Sequence, residues 1–223
     1  MTFFEDKAIE NLVIVNPDNP TGNYIPKADL LRLIDWAADK NISLVIDESF
    51  VDFADELDST LITQQILDAN KHLYVMKSIS KSFGVPGLRL GVLASGDVDT
   101  VSAMKKDVAI WNINSFAEFY MQIYEKHAKE YVKAMKLFRA ERARLATALS
   151  KIEGIRLIPS QANYFMLELT GKTTSAELTK KLLLNHNLFI KDLSSKTDGE
   201  FIRIAIRNKQ DNNKLIAALK AEL

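Results

Sequence analysis

The sequence predicts an α/β fold, in which part of a largely parallel sheet is followed by a small α+β domain. Three observations carry this expectation. Short β-branched runs alternate with helix-length amphipathic stretches over the first two-fifths of the chain. A tract rich in Ala, Lys, Glu and Met comes next, and strand-like runs then return with a different spacing.

Taken in order, Leu12-Val13-Ile14-Val15 reads as a buried strand that ends in the turn-rich Asn16-Pro17-Asp18-Asn19-Pro20-Thr21-Gly22. A helix is predicted from about Pro26 to Lys40, with proline in its first turn and Leu30, Leu33, Ile34 and Ala37 at helical spacing. Ser43–Asp47, His72–Met76 and Leu90–Ala94 read as three further strands. One long helix is expected from about Phe116 to Ile152. Beyond it, Ile155–Ile158, Asn163–Leu167, Leu188–Ile190 and Phe201–Ile206 look like strands, accompanied by helices near Ser175–Asn185 and Gln210–Leu223. Neither internal repeats nor low-complexity tracts interrupt the pattern.

Composition narrows the function classes. The chain has 223 residues, 47% hydrophobic and 26% charged, the balance of a globular protein. Its 29 basic and 29 acidic side chains cancel, so no overall positive field draws it to nucleic acid or to a membrane surface. The lack of cysteine excludes disulfides and thiolate metal sites and fits a reducing compartment. No apolar run reaches the roughly 18 residues that a membrane-spanning helix needs. The N-terminal residues lack the basic and apolar regions of a signal peptide, so a cytoplasmic protein is expected. His72, His127 and His186 lack ligand spacing, and no metal site is expected.

Chemistry-bearing residues fall in an informative order. Asn19-Pro20-Thr21-Gly22 follows the first strand, Asp47 ends the second, Ser78-Ile79-Ser80-Lys81 follows the third, and Arg89 opens the fourth. Ligands of open α/β sheets bind beyond the carboxyl ends of the strands, where three of these elements are expected to meet.

The motif Ser78-x-Ser80-Lys81-x-x-Gly84-x-x-Gly87-x-Arg89-x-Gly91 resembles the lysine signature of class I/II aminotransferases. Together with Asn-Pro-Thr-Gly and Asp47-Glu48-Ser49-Phe50, it is similar to the branch containing histidinol-phosphate aminotransferases and threonine-phosphate decarboxylases. The resemblance implies the fold of the pyridoxal-phosphate-dependent transferases. It assigns residues 1–115 to a partial cofactor-binding large domain, 116–152 to a connecting helix and 153–223 to a small C-terminal domain.

It also implies roles. Lys81 forms the Schiff base with pyridoxal 5'-phosphate and moves the substrate α-proton, since an amine serves as nucleophile and then as base. Asp47 pairs with the pyridinium nitrogen, and Asn19 donates to the phenolic oxygen. Ser78, Ser80 and Arg89 hold the phosphate, the guanidinium through a charge-assisted fork. Gly84 and Gly87 let the backbone turn beneath it. Arg203 grips the substrate carboxylate. Lys191 stands where relatives carry an arginine toward a distal phosphate, and Asn163 and Arg207 lie near the same edge.

The resemblance further implies a segment ahead of Leu12, with a Gly-rich phosphate loop and a ring-stacking aromatic residue. The chain is therefore expected to be a fragment or a truncation that pairs as a homodimer or with the missing N-terminal part. An unpaired apolar sheet edge would otherwise be exposed. Transamination between an amino acid and a keto acid is the leading expectation. A lyase acting on a phosphorylated amino acid such as threonine phosphate is the alternative, favoured by Phe50 and the Trp111–Asn114 segment. A non-catalytic module is the third reading.

Phe50 stands where many relatives have a tyrosine that touches the phenolic oxygen, and phenylalanine has no hydroxyl to offer. The Schiff-base band of the wild type is accordingly expected to titrate at higher pH than that of Phe50→Tyr. A spectroscopic pH titration checks this, and an equal or lower wild-type midpoint contradicts it.

Overall fold

The computed structural model describes residues 2–5 and 7–223. The chain divides into two compact units, Met1–Pro17 with Tyr24–Val132 and Asp18–Asn23 with Lys133–Leu223.

The first unit is built on a four-stranded sheet of β1 (Asn11–Val15), β2 (Ser43–Asp47), β3 (Leu73–Ser78) and β4 (Gly91–Ser95), in that spatial order. β1, β2 and β3 run parallel, with Ile14 opposite Ile46 and Ile46 opposite Val75. Alternation along these strands sends Leu12, Leu44, Ile46, Leu73 and Val75 to one face. Helix α1 (Lys27–Asp39) covers that face with Leu30, Ile34 and Ala37, one stripe at helical spacing. Each fully buried aliphatic side chain of this kind stabilises by about 1.5–3 kcal/mol. On the opposite face Val13, Met76 and Leu93 remain exposed. Among the described residues no helix is long and apolar enough to cross a membrane.

The fourth strand corrects the expectation of a continued parallel sheet, because β4 is antiparallel to β3. A parallel return needs a crossover to the far end of the sheet. The short helix α3 (Ile79–Ser82) and a 3₁₀ turn at Pro86–Leu88 fill the connection instead. Short helices α2 (Gln64–Ala69) and α4 (Val98–Met104) flank the sheet strands in sequence, each capped at its start by a side chain, Thr63 or Asp97.

The expected single helix over 116–152 is also corrected. It is divided into α5 (Ser115–Ile123), a 3₁₀ turn at Tyr124–His127, and α6 (Ala128–Leu149). Asn114 caps α5 by accepting from the Ala117 amide. Tyr124 and Tyr131 both close on the Phe83 ring, edge-on at 4.9 Å and stacked at 4.6 Å, and the tighter turn lies between them. Tertiary packing thus overrides a helix-favouring composition.

The second unit carries the sheet β5 (Ile155–Leu157), β6 (Tyr164–Leu169), β8 (Phe201–Ala205) and β7 (Lys191–Asp192), in that spatial order and all antiparallel. Phe165, Leu167, Ile202 and Ile204 meet Leu145 and Leu149 of α6, Leu178 and Leu182 of α7 (Ser175–His186), and Leu215 and Leu219 of α8 (Lys209–Glu222). A capping box at Thr174 and Glu177 starts α7, and Asn187 in left-handed conformation ends it. The strand expected at Leu188–Ile190 is instead the two-residue β7 just beyond it, since these residues follow directly from the α7 cap. The unit boundaries depart from 115 and 152 as well. The boundary after Val132 falls within α6, and Asp18–Asn23 joins the second unit. That segment is held there by Gln161 N donating to Gly22 O (2.9 Å) and Tyr164 Oη donating to Asp18 O (2.7 Å).

Glu48 is fully buried, accepting from the Leu61 amide and the Thr60 hydroxyl, both at 2.6 Å. Burial raises its pKa above the ordinary carboxylate range, more than these two bonds lower it. A raised native pKa means stability that is present at acid pH and lost as pH climbs through the native value. Glu48→Gln removes this titration while keeping an acceptor for Leu61. Its stability relative to wild type is therefore expected to rise with pH from the ordinary glutamate range upward. Urea midpoints across a pH series check this, and parallel curves for the two proteins contradict it.

Candidate functional site

Asp47 occupies the last position of β2, and strand alternation turns it away from the α1-covered core. Its Oδ1 accepts from Ser49 N at 2.8 Å and from Ser49 Oγ at 2.5 Å. Ser49 Oγ in turn accepts from Ser78 N at 3.1 Å, which joins the ends of β2 and β3. Asp47, Ser49, Lys77, Ser78 and Arg89 line one cleft of about 380 Å³, within the size range of small-molecule sites.

The reversal of β4 explains why Arg89 belongs to this cleft. The amino end of an antiparallel strand lies at the same edge as the carboxyl ends of its neighbours. Arg89 precedes β4 instead of opening it, and takes left-handed backbone angles with φ of 56°. Non-glycine residues seldom adopt that region, and it concentrates at functional positions. The exposed guanidinium has one contact within its own turn, a 3.4 Å bond to Pro86 O. Gly84 is also left-handed, at φ of 68°, which satisfies the turn expected there, whereas Gly87 has no positive φ.

Lys81 lies in α3 and is exposed. Its Nζ stands 5.7 Å from the centre of the Phe50 ring, so lysine and phenylalanine are neighbours. Lys81 is absent from the residues lining the cleft itself. The turn that bears it is secured on both sides. Ser82 Oγ donates to Asp52 Oδ2 at 2.6 Å, and the other oxygen of Asp52 pairs with Lys77 Nζ at 2.6 Å. Burial pushes the phenol of nearby Tyr131 up.

Ser80 requires a correction. Its hydroxyl donates to Leu90 O at 3.2 Å and accepts from Leu90 N at 3.1 Å, and the residue is buried. A hydroxyl has one proton to donate, and this one is directed to the protein backbone. Ser80 therefore closes the Lys81 turn onto the start of β4 and has no donor left for a phosphate.

The remaining candidates belong to the second unit. In Asp18–Asn23, Thr21 Oγ1 donates to Asp18 Oδ2 at 2.6 Å and Gly22 N donates to Asp18 O at 2.7 Å. Gly22 has φ of 76°, and a Cβ there would lie 1.9 Å from Ser160 Oγ, so only glycine fits. Asn19 Oδ1 accepts from Arg203 Nη1 at 2.6 Å. This bond identifies the amide oxygen and leaves the Asn19 NH₂ group as a donor. The Arg203 guanidinium also stands 5.0 Å over the Tyr164 ring. Lys191 is directly opposite Arg203 in the β7–β8 register, so the two cations share one sheet face, away from the Ile202–Ile204 core. Asn163 immediately precedes β6, and its carbonyl accepts from Ile206 N. Arg207 is engaged by Asp211 at 2.7 Å.

Sequence reasoning missed Ser49, Asp52, Lys77 and Asn16. The strand period alone places Ser49 on the same side as Asp47, a signal that was present. Asn16 is buried, and its side chain bonds both backbone groups of Ile25, at 2.7 and 3.0 Å. Nothing in its local sequence marks that long reach.

Residues 5–219 match the family Aminotransferase class I and II, and the chain belongs to that family. It is a family of pyridoxal-phosphate-dependent enzymes. The chain is 33% identical over 220 residues to the CMP-5'-(3-aminopropyl)phosphonate synthase of Streptomyces rubellomurinus, a match covering 97% of this chain and 35% of that protein. It is 33% identical over 227 residues to the L-serine phosphate decarboxylase of Sulfurospirillum multivorans, covering 99% of this chain and 57% of that one. A solved decarboxylase structure from Sulfurospirillum multivorans superposes with a TM-score of 0.89 at 31% identity, covering 99% of this chain and 63% of that chain. The architecture is therefore the fold of the pyridoxal-phosphate-dependent transferases. Relatives named threonine-phosphate decarboxylase and histidinol-phosphate aminotransferase also match, so the branch expected from the motifs is the branch found.

The donor set fits that cofactor. Asp47 Oδ2 has no partner among the described hydrogen bonds, and Arg89 and Ser78 offer donors in the same cleft.

Proposed function

We propose that the chain is part of a pyridoxal-phosphate-dependent lyase that decarboxylates a phosphorylated amino acid. The observation that carries this reading is the similarity, along 99% of the chain, to an L-serine phosphate decarboxylase. Lys191 beside Arg203 supports it, since two adjacent cations repel unless an anion lies between or above them. Here Arg203 receives the α-carboxylate through its fork and Lys191 receives the phosphate as a point charge.

Asp47, Ser78 and Arg89 would hold the cofactor, with Asn19 as a further donor and Phe50 beside the reactive lysine. When bound, pyridoxal phosphate supplies an aldehyde for condensation and a protonated ring that accepts the electron pair released at the α-carbon. Lys81 contributes its amine for condensation, and later holds the proton delivered to that carbon. Arg203 sets which α-carbon bond stands perpendicular to the ring plane, and so which bond weakens. Asn163, immediately ahead of β6, would neighbour the bound substrate.

Transamination, the leading expectation from sequence, becomes the second reading. It is supported by the family assignment and by a histidinol-phosphate aminotransferase relative at 26% identity. We further propose that the active form is a homodimer or includes a segment beyond this chain, since the chain spans about three-fifths of the decarboxylase it resembles. The exposed Val13, Met76 and Leu93, on the sheet face turned away from α1, suit such a covered surface. A cytoplasmic setting belongs to the same proposal, supported by the lack of cysteine.

Purified chain mixed with pyridoxal phosphate is expected to retain a yellow chromophore that Lys81→Ala abolishes. With O-phospho-L-serine or O-phospho-L-threonine it should release carbon dioxide, without stoichiometric keto acid. Keto-acid formation that depends on an acceptor, with no carbon dioxide, would establish the transaminase reading. A wild-type chain that never acquires the chromophore would point to a non-catalytic module. Lys191→Ala is expected to raise KM for phosphorylated substrate about tenfold while leaving chromophore formation intact, corresponding to about 1.4 kcal/mol. An unchanged KM removes Lys191 from the phosphate site.

A further inference from the structure

We infer that Ser49 is a positioning residue that aims the Asp47 carboxylate at the ring nitrogen of the cofactor and couples it to the strand end that launches Lys81. This inference rests on the pyridoxal-phosphate reading above and goes beyond it by assigning a role to a residue outside the motif residues already named.

The geometry is specific. The Ser49 backbone amide bonds Asp47 Oδ1 at 2.8 Å, an ordinary local turn. The hydroxyl does more. It donates to the same Oδ1 at 2.5 Å and accepts from Ser78 N at 3.1 Å, across to the neighbouring strand. With two donors on Oδ1, rotation of the carboxylate is restrained and Oδ2 is the oxygen left for a ligand of the cleft that Asp47, Ser49, Ser78 and Arg89 line. A carboxylate free to rotate would lose part of its interaction with a ring N–H, because that bond depends on direction.

The second bond links this orientation to the lysine. Ser78 is the last residue of β3, and α3 begins at the next residue and contains Lys81. One hydroxyl therefore fixes both the partner for the ring nitrogen and the root of the turn that bears the amine. Residues 47, 49 and 78 are joined as one hydrogen-bonded set, the kind of support that sites of this type need. Alanine at 49 would leave the backbone bond intact and remove both hydroxyl bonds, so Asp47 Oδ1 keeps one donor and Ser78 N loses its acceptor.

The test compares the 223-residue chain with Ser49→Ala and Ser49→Thr, each loaded with pyridoxal phosphate ¹⁵N-labelled in the ring. The readouts are the ¹⁵N shift of the ring nitrogen, the pH midpoint of the visible band and the rate of cofactor loss. Ser49→Ala is expected to move the ring-nitrogen resonance toward the unprotonated form and to weaken cofactor retention about tenfold, the value of one good hydrogen bond to a charged group. Ser49→Thr keeps the hydroxyl and should restore both. If the alanine chain does not fold, Ser49→Cys, similar in shape but a weak donor, takes its place in the same comparison. An unmoved nitrogen resonance in the alanine or cysteine chain, or equal losses in the threonine chain, overturns the Ser49 assignment alone. A wild-type chain without the chromophore overturns this assignment together with the functional reading beneath it.

Discussion

The site depends on one chain reversal, the connection between β3 and β4. Ser80 closes that connection with two bonds to Leu90, and Ile79 N adds a third to Leu90 O at 3.2 Å. Because the reversal is tight, Ser78, Lys81 and Arg89 stay at the sheet edge where Asp47 emerges. A crossover would have carried the start of β4 to the far edge, and the arginine with it. The buried hydroxyl thus serves the site without facing a ligand.

Around that reversal the first unit assembles in layers. The α1 stripe covers one sheet face and sets the register of β1, β2 and β3, which fixes where each strand ends. Asp52 then joins Lys77 on β3 to Ser82 at the end of α3. The pair is half-buried, where an ion pair with good geometry contributes more than a solvated one. Phe83, held between Tyr124 and Tyr131, anchors the residue after α3. The lysine turn is therefore supported from the sheet, from the loop after β2 and from the helical segment.

Much of this was legible in the letters. Strand positions in the first unit, α1, α7 and α8 follow from periodicity, and the motif around Lys81 led to the family. The polarity of β4 was not legible, because an apolar run reads the same in either direction and only the length and path of its connection decide. The break near Tyr124 was hidden for a related reason: Phe83, which organises it, lies far away in sequence. Ser80 was misassigned because a serine in a glycine-rich turn can serve a ligand or the backbone, and burial is the property that separates these. Asn19 and Arg203 were proposed separately, and their mutual bond became visible only in the folded second unit.

Asp47 and Glu48 are adjacent acids with opposite fates, one facing the cleft and the other sealed inside. Shifting β2 by a single position along its neighbours would exchange them, forcing the aspartate into hydrocarbon and turning Ile46 outward. Two consecutive carboxylates thereby act as a key for strand alignment, tolerating the correct pairing and penalising its nearest competitor. The chemistry proposed for this edge and the fidelity of its assembly are written into the same dipeptide.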